Sequence, residues 1–148
     1  MSTYPRIATA ALAVLVLTAC ARRDDDATRV DTAAGTVVAN DIAVTQIDIG
    51  KGIGGDKRIT NTTDTFAATD TVYVAVATSG TAPSATLQAR WTYEDGQVVD
   101  QSSETISPTG PAVTEFHISK PDGLPKGKYR VEVTLNGTSA GTKEFTVK

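Results

Sequence analysis

Apolar residues in the C-terminal part of the chain recur at every second position, rather than every third or fourth. The clearest run is Leu87, Ala89, Trp91 and Tyr93, in which a polar residue separates each member from the next. A period of two is typical of half-buried antiparallel strands, because successive side chains point to opposite faces. The pattern therefore predicts a strand whose apolar face, including Trp91, lies against a core.

Further strands follow from the same alternation. Residues 129–135 repeat it, and residues 71–78 are apolar on both faces, which is typical of a central strand. Two more strands are predicted with these inward side chains: Thr114, Phe116 and Ile118 in 112–119, and Phe145 and Val147 in 142–147. About seven short strands separated by turns favour an all-β, antiparallel β-sandwich.

The first predicted strand changes face along its length. Ile42 and Val44 share one parity, whereas Ile47 and Ile49 share the other. A β-bulge, or a strand that passes from one sheet to the other, would explain this change.

Two hairpin turns are predicted from Gly-containing dipeptides. Asp95-Gly96 lies between two strand patterns and predicts a type I′ turn, since Gly tolerates positive φ. Asn136-Gly137 predicts a second reversal after the strand that starts at Tyr129.

Trp91 on the third long strand and Tyr129 near the start of the penultimate strand resemble the core tryptophan and tyrosine corner of immunoglobulin-like and fibronectin-III-like sandwiches. The antibody disulfide is missing, since the chain has one cysteine. The order of these motifs from residue 42 to the end is similar to the single Ig-like domain of uncharacterised bacterial lipoproteins. That resemblance implies no catalytic residue, metal or cofactor, so we expect a protein that is not an enzyme.

The N-terminal residues predict a targeting signal. Arg6 precedes a short apolar run, 7–17, which is too short to span a bilayer but is typical of a signal peptide. Leu17-Thr18-Ala19-Cys20 resembles the lipobox of bacterial lipoproteins. The resemblance implies cleavage before Cys20 and lipidation, including palmitate, on that cysteine. Ordinary secretory cleavage that leaves a free thiol is the alternative.

The residues after the signal predict a tether. Residues 20–41 are rich in Thr, Ala, Gly and Asp, a composition that cannot bury enough apolar surface to order itself. Ala21 stands where an aspartate would resemble an inner-membrane retention signal, so the resemblance favours the outer membrane. The predicted organisation is a signal peptide (1–19), a lipidated tether (20–41) and a β-sandwich (42–148).

Charge excludes nucleic acid as an expected partner. Removal of Arg6 with the signal peptide leaves 13 of the 14 Lys and Arg against 17 Asp and Glu, and no basic run remains. Attachment to a membrane would therefore depend on lipid rather than on charge.

Three apparent motifs have structural interpretations that we favour. Residues 137–141 match G-x-S-x-G around Ser139, but they lie in a strand reversal without a following triad partner. His117 has outward parity and lacks an evident partner. Asp56, Asp64 and Asp70 lack the spacing of a calcium loop and are expected at turns and strand ends.

The segment 50–58 is rich in glycine and ends in two cations. We expect a flexible surface loop, with a partner or anion contact as the alternative. The candidate partner contacts are Gly52, Gly54, Gly55, Lys57, Arg58 and Leu124. Residues 52–55 also resemble one loop of chagasin-like cysteine protease inhibitors, although the other two inhibitor motifs are missing.

Three functions are compatible with these features. The first is a non-catalytic envelope lipoprotein that binds another envelope protein or supports an assembly. The second is a small-ligand or glycan-binding module, for which Tyr73 and Phe66 are the candidate exposed aromatics. The third is a protease inhibitor or cryptic hydrolase, which would require a convergent loop cluster or a pocket joining Ser139 to His117.

Overall fold

A computed structural model describes residues 41–148. This part of the chain forms strands β1 (Asp41–Gly50), β2 (Thr65–Phe66), β3 (Val72–Thr81), β4 (Ala85–Tyr93), β5 (Gln97–Ile106), β6 (Ala112–Ile118), β7 (Gly127–Leu135) and β8 (Thr138–Val147). Among these residues there is no helix, and hence none long and apolar enough to cross a membrane. The predicted signal peptide, Cys20 and the tether before Asp41 lie outside the described residues.

The strands form two sheets that pack face to face. One sheet has the order β1-β3-β6, and the other has the order β2-β8-β7-β4-β5. All neighbours are antiparallel except β2 and β8, which are parallel. The second sheet groups the third, fourth, penultimate and last long strands, which is the immunoglobulin-like arrangement predicted from the sequence. The eighth strand is the two-residue β2, which the alternation pattern is too short to reveal.

The first strand contains the predicted irregularity. The register of β1 against β3 shifts between Val44 and Gln46, so the intervening Thr45 is bulged. The bulge moves Ile47 and Ile49 onto the buried face, where they are 9% and 6% exposed. β1 itself stays in one sheet, and the chain first enters the second sheet at β2.

The core is organised around Phe145 on β8. Its ring stacks on Tyr129 at 5.1 Å between centroids, and it meets Trp91 edge-on at 6.1 Å and Phe66 edge-on at 5.4 Å. Trp91 is fully buried, as predicted. Phe145 therefore connects Trp91 to Tyr129, and the two predicted landmarks are joined through a third ring.

The expected exposure of Phe66 is wrong. Phe66 pairs with Val147 through the parallel contact of β2 with β8, and its side chain is 1% exposed because it packs on Phe145. Tyr73 remains partly exposed and lies 5.6 Å from the His117 ring. Of the two exposed aromatic residues expected for a glycan-binding site, only Tyr73 is therefore accessible.

The two predicted turns differ in outcome. At the β7–β8 reversal, Leu135 pairs with Thr138, and φ is positive at Asn136 (51°) and Gly137 (82°), as a two-residue type I′ turn requires.

The type I′ turn predicted at Asp95-Gly96 does not form. Tyr93 pairs with Gln97, which leaves a three-residue loop, and φ is positive at Glu94 and Gly96 but not at Asp95. Glu94 is held instead by β7, because its N–H donates to the Lys128 carbonyl oxygen at 2.8 Å.

The sandwich has two distinct ends. At the end that we call the hairpin end, the strand register brings together loops 51–64, 67–71, 94–96 and 119–126. At the opposite end, called the entry end, Asp41 lies beside the short loops 82–84, 107–111 and 136–137.

We expect Trp91→Ala to lower the free energy of unfolding by about 3–5 kcal/mol, because it empties a site between the sheets. Trp91→Phe should cost less. The indole Nε1 is buried without a hydrogen-bond partner among the described residues, so phenylalanine removes an unsatisfied donor while keeping an aromatic ring. Urea unfolding of both variants measures the difference. Equal losses would contradict this description of the Trp91 site.

Candidate functional site

The glycine-rich segment folds as a short hydrogen-bonded hairpin, residues 51–61, which we call the glycine hairpin. The Gly52 carbonyl oxygen accepts from the Thr60 N–H at 3.0 Å, and the Gly54 N–H donates to the Arg58 carbonyl oxygen at 2.8 Å. These bonds correct the prediction of a flexible loop. Five of the six candidate contacts therefore lie together on one ordered projection of the hairpin end.

Two of the glycines lie close to side chains of the same hairpin. A Cβ added at Gly52 would lie 2.7 Å from the Thr60 Oγ1, and one added at Gly54 would lie 2.8 Å from the Asp56 Oδ1. Gly55 at the tip has open space around it. Both near atoms are side-chain ends that can rotate away, so the space at Gly52 and Gly54 does not by itself require glycine, and Gly55 is free to accept a side chain.

The tip carries exposed charge. Arg58 and Asp56 are 3.7 Å apart, with side chains 58% and 66% exposed, so their ion pair contributes little to stability. Lys57 is exposed, has a φ of 64°, and makes no ion pair with the described residues. Lys57 and Arg58 are exposed, as expected of a surface segment, and their contact with a partner stays a prediction.

Leu124, the sixth candidate contact, does not lie on the surface. Its side chain is 2% exposed and belongs to the core, and its N–H donates to the Ala68 carbonyl oxygen at 2.7 Å. That bond places the 119–126 loop against the 67–71 turn, which turns the leucine inward. Leu124 is therefore a structural residue rather than a contact.

A salt bridge holds the base of the glycine hairpin. Lys51 Nζ lies 2.7 Å from the Asp70 Oδ2, and the same oxygen accepts from the Ala67 N–H at 2.7 Å. Lys51 also lies over the Phe66 ring, 5.8 Å from its centroid. The Lys51 hydrogen bond, followed by the Ala67 bond, lowers the pKa of Asp70 against a weaker opposing effect of burial. These contacts connect the hairpin to the core.

The tyrosine corner is formed as the resemblance implied. The Tyr129 hydroxyl donates to the Pro125 carbonyl oxygen, four residues upstream, at 2.8 Å. The Tyr93 hydroxyl makes a parallel bond to the Lys126 carbonyl oxygen at 2.9 Å. Burial, and then the nearby Tyr93 and Glu94, raise the pKa of Tyr129. Its hydroxyl therefore keeps its proton and remains a donor at neutral pH.

Beside this corner is an apolar cleft that sequence reasoning missed. Its volume is about 170 Å³, and its lining residues are Tyr93, Gln97, Val98, Val99, Lys120, Pro125 and Tyr129. Val98 is 45% exposed, although it is a large apolar residue. The available signal was the adjacent pair Val98-Val99, which breaks the alternation, so that one valine must face solvent. A bulge in β5 at Val99 allows this arrangement.

A polar groove of about 600 Å³ lies on the outer face of the five-stranded sheet. Arg130 Nη2 and Glu144 Oε1 are 2.9 Å apart within it, and both side chains are mostly exposed. Glu94 Oε1 accepts from the Lys128 N–H at 3.1 Å. Four acidic residues and two basic residues line the groove, so acidic side chains are in excess and an anion is disfavoured there.

Ser139 and His117 are not brought together. Ser139 is exposed on β8, next to the entry-end turn, whereas His117 lies on the other sheet at the hairpin end of β6. His117 does have a carboxylate neighbour that the sequence analysis did not anticipate, because its Nδ1 lies 2.6 Å from the Glu115 Oε1. The two residues are two positions apart on the edge strand β6, so their side chains share one face and lie close together.

The three aspartates considered for calcium are also separate. Asp70 is bound to Lys51, Asp56 accepts from the Arg58 N–H, and Asp64 accepts from the Thr65 hydroxyl. Within residues 41–148, no group of three or more His, Cys, Asp or Glu side chains could hold a metal ion.

Comparisons with protein families and with curated proteins give no match. An immunoglobulin-like protein from Pseudomonas aeruginosa is 18% identical, with a TM-score of 0.49 over 74% of this chain and 99% of its own. A CARDB domain from Pyrococcus furiosus, in complex with di-metal ions, is 16% identical, with a TM-score of 0.43 over 73% and 88%.

A DNA-bound alkylpurine DNA glycosylase from Pseudomonas fluorescens is 15% identical, with a TM-score of 0.47 over 72% of this chain. This chain spans 30% of the glycosylase. The strand order and the tyrosine corner define the described domain as an immunoglobulin-like β-sandwich.

We expect Asp70→Asn to lower the free energy of unfolding at pH 7 by about 0.2–1 kcal/mol, because Asn cannot pair with Lys51. Because the pKa of Asp70 is lower in the folded protein than in the unfolded chain, the contribution of its carboxylate to the free energy of unfolding is fully present above the unfolded pKa. It is lost as pH falls through the folded pKa.

Urea unfolding at pH 7 and near pH 2 tests this prediction, with Asp122→Asn as an exposed control. The difference between wild type and Asp70→Asn should vanish at the acidic pH, and a difference independent of pH would contradict the role of the ion pair.

Proposed function

We propose that this protein is a non-catalytic, lipid-anchored lipoprotein of the bacterial envelope whose immunoglobulin-like domain binds another envelope protein. The lipobox at Cys20 supports the anchor, and the sandwich fold supports a role in protein interaction. The sequence resemblance favours the periplasmic face of the outer membrane or the cell surface. No cofactor is part of the proposal.

One observation supports the proposal most directly, namely which end of the domain the chain enters. The described chain begins with β1 at the entry end, and β1 runs ten residues to the hairpin end. A strand of this length spans roughly 33 Å. The chain enters the described domain at Asp41, so the loops of the hairpin end lie at the opposite end of the domain from its connection to the predicted tether.

The hairpin end has the composition of a protein contact surface. It combines an exposed apolar residue, Val98, and the partly exposed Tyr93 with accessible cations at Lys57 and Arg58. Protein interfaces characteristically combine apolar and aromatic anchors with a polar rim that includes arginine. Glycan binding is less well supported, because Phe66 is buried in the core.

Cys20→Ser tests the anchor. The variant should carry no lipid and should be found either as unprocessed precursor, which keeps its apolar signal segment, or as processed protein released from the membrane, because serine cannot form the thioether to lipid. Fractionation with a high-salt wash separates lipid anchoring from attachment by charge. Circular dichroism of the variant checks that the β-domain still folds. Salt-resistant membrane retention of folded Cys20→Ser protein whose mass shows that the signal peptide has been removed would contradict the proposal.

A further inference from the structure

The two sheets differ in width, which leaves the face of β5 uncovered. The sheet β1-β3-β6 has three strands and the other sheet has five, with β5 at its edge. Cross-strand pairing puts Asp100 opposite Trp91 and Glu104 opposite Leu87, so both acids lie on the inward parity. Trp91 and Leu87 are fully buried, whereas Asp100 and Glu104 are exposed.

The free edge of β5 is acidic and without counter-ions. Asp100 and Glu104 make no ion pair with the described residues, and Asp100 accepts only the N–H of its neighbour Gln101, at 2.8 Å. The nearby Arg90 pairs with Gln101, on the opposite parity. Nothing on the β5 face therefore neutralises the two carboxylates.

The hairpin-end start of the same strand is apolar. Val98 is 45% exposed beside the cleft formed with Tyr93 and Pro125, and Lys120 lies at the rim. One edge strand thus presents an apolar recess, followed by two carboxylates spaced four residues apart on one face. An extended chain that pairs with β5 would pass both features.

We propose that β5 is a strand-addition site for an extended, basic segment of a partner protein. This inference deepens the proposed function by naming the partner's chemistry. Among residues 41–148, β5 has a strand partner on one side only, so its second row of backbone N–H and C=O groups can pair with another chain. Lysine or arginine at alternate inward positions would face Asp100 and Glu104, and an apolar residue would enter the recess.

Charge disfavours a second copy as the occupant. Antiparallel self-pairing of β5 centred on Ser102 would place Asp100 opposite Glu104 twice, which is repulsive. The same charges favour a basic strand, because complementary charges sit directly opposite each other in a ladder.

The test uses the full-length protein purified in detergent and a synthetic peptide as long as β5, with valine and lysine alternating on one face and threonine on the other. Binding is measured at low ionic strength by titration, and the site is located by amide hydrogen exchange. We expect newly protected amides within 97–106. Replacing both acids, as Asp100→Lys with Glu104→Lys, should weaken binding about tenfold and create affinity for the glutamate version of the peptide.

Two controls distinguish strand addition from charge attraction. The double variant Asp48→Lys with Glu132→Lys changes net charge equally but lies away from β5, and it should bind the lysine peptide normally. A lysine peptide that is N-methylated on its pairing edge should not bind.

Several results would overturn the proposal: protection on β1 or β6 instead, equal binding of the N-methylated peptide, or no binding. Protection, without peptide, of the β5 amides that do not pair with β4 would also overturn it, whether it occurs in the monomer or through dimerisation. None of these bears on membrane anchoring, which the fractionation of Cys20→Ser tests separately.

Discussion

The contact of Phe145 with three other aromatic rings is the interaction on which the rest of the structure depends. The ring joins Trp91 of β4, Tyr129 of β7 and Phe66 of β2, so one side chain links the interior of the five-stranded sheet to its short outer strand. Aromatic pairs in these geometries contribute about 0.5–1.5 kcal/mol beyond the area they bury. In a domain with no disulfide among its described residues, this cluster is a main source of rigidity.

The surface at the hairpin end follows from this cluster. Stacking on Phe145 fixes the Tyr129 ring, and the Tyr129 hydroxyl then holds the backbone at Pro125, which forms one wall of the apolar cleft. On the other side, Phe66 lies under Lys51, whose bond to Asp70 supports the glycine hairpin. The exposed residues of the hairpin end are thus positioned by contacts that lead back to the aromatic core.

Local sequence pattern was sufficient for the long strands and insufficient where distant pairing decides the conformation. Alternation placed Trp91, Phe116 and Phe145 inward correctly, because a period of two applies to any strand with one buried face. Phe66 and Leu124 were misplaced, since β2 pairs with the last strand and Leu124 bonds to a turn more than fifty residues away. The cleft depends on a bulge in β5, and only Val98-Val99 hinted at it.

Amide hydrogen exchange on Phe145→Leu tests most directly whether the aromatic cluster couples the core to the hairpin end. Leucine keeps the site apolar but removes all three ring contacts, and we expect a loss of about 1–3 kcal/mol in the free energy of unfolding. We expect protection of the Leu124 and Thr60 amides to fall together with that of the core strands. Faster exchange in β4 and β7, with Leu124 and Thr60 unchanged, would contradict it.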